Sequence, residues 1–335
     1  MKRHLLFILI IISIIGCHED KKTSKTTSKK TKSSSTITQK PVKVPEFNGQ
    51  SAYDFVKKQV DFGPRVVNSK AHKKCGTYLV QTLSQYADTV FEQNAKVRAY
   101  NQSILNIKNI IASFNPEKEK RVLLASHWDS RPFADYDKDK KNHWTPIDGA
   151  NDGASGVGVL LEVARLLKQH PINIGIDIIL FDAEDYGAPQ FVQTTQQDDW
   201  ALGSQYWSKN PHTYGYQANY GILLDMVGAS NARFPKEAFS LYYAPNVVNK
   251  VWRMAKQLNY GEYFIEEEGT TIMDDHYYVN QLTNIPMIDI IHLDNTTDNN
   301  TFFEHWHTTK DNIDIIDKET LRIVGDVLLH VIYQE

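Results

Sequence analysis

The stretch IDIILFDAEDYG, Ile176 to Gly187, runs from Ile and Leu into three acids, Asp182, Glu184 and Asp185. Side chains at consecutive extended positions point to opposite sides. Glu184 and Asp185 are therefore expected to divide the work, one binding a cation while its neighbour handles protons. Similar residues recur along the chain: His127 and Asp129 in SHWDS, Asp152 in PIDGANDGASGVG, Asp225 in LLDMVGA, and His305 and His307 around Trp306 in FFEHWHTTKDNID. One such residue alone reads as solvated or structural, and Asp152 could simply cap the helix that follows it. Crowded together, the carboxylates would repel and raise one another's pKa, a cost that a divalent cation removes. A mixed Asp/Glu/His set without thiolate suits Zn²⁺ in an open catalytic site. The small residues around Asp152 let backbone approach a bound ion closely.

These residues need a frame that brings them together. Apolar, β-branched runs at Ile107–Phe114, Arg121–Ser126, Ile176–Phe181, Tyr220–Met226 and Pro286–Leu293 read as strands covered on both faces. Helical patterns lie between and around them at His72–Tyr86, Ala154–Gln169, Val247–Leu258 and Lys318–Ile332. In the second of these, Val157, Leu160, Leu161, Ala164 and Leu167 form one apolar stripe. Strands alternating with helices predict a three-layer α/β/α sandwich around a mixed, mostly parallel sheet. In such sheets functional residues collect beyond the carboxyl ends of the strands, where these acids and histidines fall.

The 335-residue chain is not uniform. Residues 1–17 read as a basic start, an apolar run too short to span a membrane comfortably, and a small residue before Cys17. The order Ile14, Ile15, Gly16, Cys17 resembles a bacterial lipobox, which implies an exported protein anchored by lipid on Cys17. Residues 18–43 are Lys, Ser and Thr with almost no large apolar residue, a composition expected to remain a disordered tether. Residues 1–43 contain ten of the 37 Lys+Arg and two of the 40 Asp+Glu, leaving 27 basic and 38 acidic residues, a net of −11 against −3 overall. That acidic body, residues 44–335, argues against nucleic acid as a partner. The only other cysteine is Cys75, so no internal disulfide is expected if Cys17 carries lipid. Stability must then come from a large core.

The segments HWDSRPF, DGANDGASGVGVLLE, FDAEDYG, WALGSQYW, LLDMVGA and HWHTTKD together resemble the zinc aminopeptidase and glutaminyl cyclase superfamily, from about Ala52 to the C-terminus. The resemblance implies two candidate activities. The peptidases hold two zinc ions on residues matching His127, Asp152, Asp185, Asp225 and His307. The cyclases hold one, on the matches of Asp152, Asp185 and His307. TIMDDHYYVNQLTNIPMIDIIHLD leans towards the cyclases: it implies that Asp274 joins Glu184 and Asp225 in a carboxylate network supported by His292. Trp306, next to His307, resembles the cyclase pocket wall. Two departures stand out. Asp185 occupies a position where cyclases carry Glu, and YGAPQF lacks the pocket Trp found there in animal cyclases. The expected activity is zinc-assisted cyclisation of N-terminal Gln on peptides or exported proteins, in a domain facing the periplasm. The alternatives are a dinuclear aminopeptidase or, outside enzymes altogether, a lipid-anchored binding protein with a degenerate site.

Overall fold

The structure is a computed structural model that describes residues 43–195 and 198–335. The expected leader, Cys17 and the tether up to residue 42 lie outside the described residues. No helix among those described is long and apolar enough to cross a membrane.

Strands β1 (Thr89–Arg98), β2 (Ile104–Phe114), β3 (Arg121–His127), β4 (Gly175–Phe181) and β5 (Tyr220–Asp225) belong to one sheet. It is completed, after a small separate ribbon of β6 (Phe234–Lys236) and β7 (Phe264–Glu268), by β8 (Met287–Ile291). The order is β1-β2-β4-β3-β5-β8. β1 and β2 run antiparallel to their neighbours; β4, β3, β5 and β8 are mutually parallel. The expected mixed, mostly parallel sheet is the one found.

Alternation along the parallel strands feeds two cores. Val122, Leu124, Ile176, Ile178, Ile222 and Ile288 face a large cluster. It includes residues of α1 (Gly49–Val60), α2 (Lys70–Tyr86) and α3 (Ala154–Gln169). Leu123, Ala125, Ile179, Leu223 and Met287 face the opposite side. There Trp207 of α4 (Leu202–Lys209) packs against them. Past α5 (Ala238–Tyr243) and α6 (Pro245–Gln257), α7 (Asp275–Leu282) adds Val279 to that second core. The final helix, α8 (Lys318–Tyr333), returns to the first. All five residues of the α3 stripe are in the first core. Cys75 is buried and free, and burial pushes its thiol up to about 12.

The connection from β3 through α3 to β4 covers one face, and the connection from β4 through α4 to β5 covers the other. The chain therefore changes direction around β3, and a crevice opens beyond the carboxyl ends of β4, β3 and β5. His127 is the last residue of β3 and Asp225 the last of β5.

Candidate metal and carboxylate centre

Strand β4 stops at Phe181, as expected, but the two acids beyond it do not continue its extended geometry. Ala183 has a positive φ of 57°, so Glu184 and Asp185 lie on a tight turn rather than at alternating strand positions. Their side chains do separate, but the cause is the turn and the residue beneath it. The buried Asp129 carboxylate accepts the Glu184 N–H at 3.1 Å and the Asp185 N–H at 3.2 Å. Backbone bonds from Ala201 and Leu202 to the carbonyls of Glu184 and Ala183 tie the same turn to the start of α4. Positive φ recurs at Met226, just after Asp225, and at His307. Such conformations cost on the order of 1–3 kcal/mol each and persist where surrounding structure enforces them.

Asp152 does not cap α3. The cap is Gly153, at φ 91° and without a side-chain cap bond. A Cβ on Gly153 would lie 2.8 Å from His127 Cε1, so the small residue serves the approach of backbone to the His127 ring. Asp152 is oriented instead by Asp311, whose buried carboxylate accepts the N–H groups of Asn151 at 2.7 Å and Asp152 at 3.1 Å.

Asp152, Asp185 and His307 converge, each offering one ligand atom within 4.8 Å of the others. His307 Nε2 lies 3.5 Å from Asp152 Oδ2 and 3.2 Å from Asp185 Oδ1. Oδ2 of Asp152 and Oδ2 of Asp185 are buried without a hydrogen-bond partner. Buried acceptors left unpaired in this way, with a nitrogen beside them, fit a zinc ion. His127, Asp152 and Asp225 form a second such set. His127 Nε2 is 3.0 Å from Asp152 Oδ1 and 3.2 Å from Asp225 Oδ1, so the two oxygens of Asp152 face different groups.

The charges in the site do not balance on their own. Burial, then the charge of Asp274, pushes Glu184 well above the usual carboxylate range. Burial and the charge of Asp152 raise Asp185. Asp225 rises to about 8, chiefly through burial. Asp274, the N-cap of α7, is raised by burial as well. Glu184, Asp225 and Asp274 line one cavity of about 400 Å³ together with Asp152, Asp185 and His307.

The aromatic walls differ from expectation in one respect. Trp306 is in place, stacked on His307 with ring centroids 3.7 Å apart. Trp200, from WALGSQYW, is a second wall, parallel to the His307 ring at 6.1 Å. His292 is not brought to the acids. It is buried against Phe303 and Phe234, does not line the cavity, and is lowered to about 4 by burial.

Several residues that matter were not singled out from the sequence. Arg131 forks onto Asp135 with two bonds of 2.7 Å, donates to the Asp185 carbonyl at 3.1 Å, and packs over Trp200. Asp135 also lies 3.5 Å from His307 Nδ1. Despite burial, bonds from Arg131 and His307 hold its carboxyl well below the usual range. A carboxylate behind a ligand imidazole fixes its tautomer and orientation. The R and D of SRPFAD, four residues apart, were the available signal.

A three-layer sandwich with histidines and carboxylates at the carboxyl edge of its parallel strands defines a zinc-exopeptidase-like fold. The chain belongs to peptidase family M28, whose pattern matches residues 109–332. A Zn-dependent exopeptidase from Parabacteroides distasonis superposes with a TM-score of 0.86 at 53% identity, covering 88% of this chain and all of that one. The glutaminyl cyclase of Bacteroides thetaiotaomicron, solved with N-acetylhistamine bound, gives 0.85 at 53% identity over the same shares. Aminopeptidase YwaD of Bacillus subtilis is 28% identical over 252 residues, 72% of this chain, which spans 47% of that relative's length.

Proposed function

We propose that the protein is a zinc-dependent glutaminyl-peptide cyclotransferase, converting N-terminal Gln to pyroglutamate with release of ammonia. The observation that carries this reading is Asp274. It adds a third cavity-lining carboxylate beside Glu184 and Asp225, a set suited to moving protons between two nitrogens. Similarity to a glutaminyl cyclase along that chain's whole length supports it.

Cyclisation joins the substrate's α-nitrogen to its own γ-carbonyl carbon and breaks the bond from that carbon to the amide nitrogen. The substrate supplies proximity, so catalysis must supply polarisation and proton movement. Asp152, Asp185 and His307 would hold one zinc ion, which when bound acts as Lewis acid towards the γ-carbonyl. With the α-amine attacking as its free base, Glu184 takes a proton from that nitrogen as it bonds to the γ-carbon and delivers it to the departing nitrogen, leaving a lactam N–H and free ammonia. Its raised proton affinity suits both halves of that task. Asp225 and Asp274 hold Glu184's proton in register, and His127 pins Asp225 at 3.2 Å. Trp306 and Trp200 pack on the glutaminyl stem and exclude water.

The second metal-sized cluster favours one competing reading, a dinuclear aminopeptidase. Incubating the purified domain with a Gln-initiated and a Leu-initiated peptide separates the two by mass. The Gln peptide should lose ammonia while the Leu peptide stays intact, with about one zinc per chain by metal analysis. Release of leucine, with two tightly held zincs, would establish the peptidase instead.

Residues 44–335 form the catalytic domain in this reading. Residues 18–43 tether it, and 1–17 are an export signal ending in a lipidated Cys17 that holds the enzyme in the cell envelope, with N-terminal Gln peptides or exported proteins as substrates. Cys17→Ser should leave the domain active and free of membranes after a salt wash. A variant that still sediments with membranes would refute the anchor.

A further inference from the structure

Asp289 lies at the middle of β8, between Ile288 and Ile290, which belong to the first core. Its own side chain faces the other way. β8 pairs Leu223 with Asp289 and Asp225 with Ile291, so alternation sets Asp289 on the sheet face that carries Asp225. The residue is fully buried, and neither carboxyl oxygen has a hydrogen-bond partner among the described residues. Its backbone N–H donates to Ser240 Oγ at 2.9 Å.

The titratable groups facing Asp289 come from three elements. Asp274 and His276, at the start of α7, each bring an atom into a cluster no wider than 4.8 Å with Asp289. Asp225 faces it from β5 and Glu237 from the start of α5. Glu237 is fixed by the N–H groups of Phe239, Ser240 and Ile272 and by the Ser240 hydroxyl. It also holds His276 Nε2 at 3.0 Å. The other ring nitrogen, Nδ1, is 3.8 Å from Asp289 Oδ2, beyond hydrogen-bond reach. One oxygen of Asp274 accepts the Asp275 N–H, while Oδ2 is buried and unpaired.

A carboxylate this dry, facing other carboxylates and lacking a donor, cannot remain ionised; a neutral acid can, provided an acceptor is at hand. Asp274, which shares the 4.8 Å cluster and has an unpaired Oδ2, is the acceptor available. Burial, followed by the charges of Asp274 and Asp225, favours the protonated form of Asp289.

We propose that Asp289 is a positioning residue for the cyclisation: held as a neutral acid, it donates its O–H to Asp274 and keeps that carboxylate ionised beside Glu184. This deepens the cyclase reading and rests on it. The donor matters more than the charge. An amide can replace it, whereas an apolar side chain of the same shape cannot.

The test uses zinc-loaded protein carrying Asp289→Asn or Asp289→Leu. Asp289→Leu should lower kcat by about a hundredfold, with KM and zinc content unchanged, while Asp289→Asn recovers to within about tenfold of the parent. A Leu variant as active as the parent, or an Asn variant as impaired as Leu, overturns the proposal. An infrared difference spectrum covers the case in which the Leu variant fails to fold. The carbonyl band of a neutral carboxylic acid should be present in the parent and missing from Asp289→Asn. Persistence of that band also overturns the proposal. The infrared result does not depend on turnover, so a parent enzyme that fails to cyclise the Gln peptide would sink the cyclase reading and leave the protonation of Asp289 separately decided.

Discussion

Glu184 and Asp185 share one turn and one buried support, Asp129, yet their surroundings differ. Asp185 is drawn towards His307 and Asp152, within a cluster the size of a metal site. Glu184 faces the cavity with Asp274 and Asp225, and no hydrogen bond fixes its carboxylate among the described contacts. Substitutions at the two positions should therefore differ in kind. Glu184→Gln keeps shape and removes the proposed base, so zinc content should survive while turnover falls by roughly a hundredfold or more. Asp185→Asn weakens a proposed ligand, so zinc affinity should drop and added zinc should restore part of the rate. Asp185→Glu should be tolerated, since the resembling cyclases carry Glu there. Zinc analysis alongside turnover decides the matter. Loss of metal from Glu184→Gln, with metal and activity intact in Asp185→Asn, would mean the roles were reversed.

At the scale of elements, long apolar segments were legible, whereas α1, a twelve-residue helix rich in polar residues, was not. The five expected strands and four expected helices all form, because each is apolar enough to announce the face it buries. Strand β1 was missed: its residues are half-buried or exposed throughout, as suits the edge of a sheet. Short α4, α5 and α7, none longer than eight residues, offer too few turns for a periodic pattern to emerge. The site was legible where chemistry is packed into short motifs, which is how Asp152, Asp185, Glu184, Asp225 and His307 could be singled out. What could not be read were partners brought together only by folding. Asp311 reaches the Asp152 amide across 159 positions and Asp129 reaches Asp185 across 56, and neither distance leaves a local trace. The misplacement of His292 has the same origin. A strand three residues earlier presents Asp289 to the acids, while the His at the end of that run turns towards Phe303.

For the whole molecule, the cost of gathering so many acids at one edge of the sheet should appear in how stability responds to pH. Asp225 is raised to about 8 and Asp311 to about 7, both chiefly by burial. In the unfolded chain such groups titrate near ~4. A carboxyl whose folded pKa lies above its unfolded value contributes stability that is complete below the unfolded pKa. That contribution is lost as pH rises towards the folded value. Metal-free protein should therefore lose stability from about pH 4 to about pH 8. His292, lowered by burial to about 4, works in the opposite direction and partly offsets this loss, its contribution falling away as pH drops from about 6.5 to about 4. Glu237 does the same at lower pH. Although burial pushes it up, the bond from His276 holds it at about 2, so its contribution is lost only as pH falls from about 4 towards that value. A bound cation neutralises the crowded carboxylates, and its affinity rises with pH as its ligands shed protons. The gap between metal-loaded and metal-free protein should consequently widen as pH increases. Thermal melts of chelated and zinc-loaded protein between pH 5 and pH 8, at one scan rate and one ionic strength, measure that gap directly. The chelated form should melt lower at the alkaline end, and zinc should raise its melting temperature most there. A chelated protein that melts higher at pH 8 than at pH 5 would show that the acids are not held uncompensated in the fold, and that the divalent cation is not what relieves them.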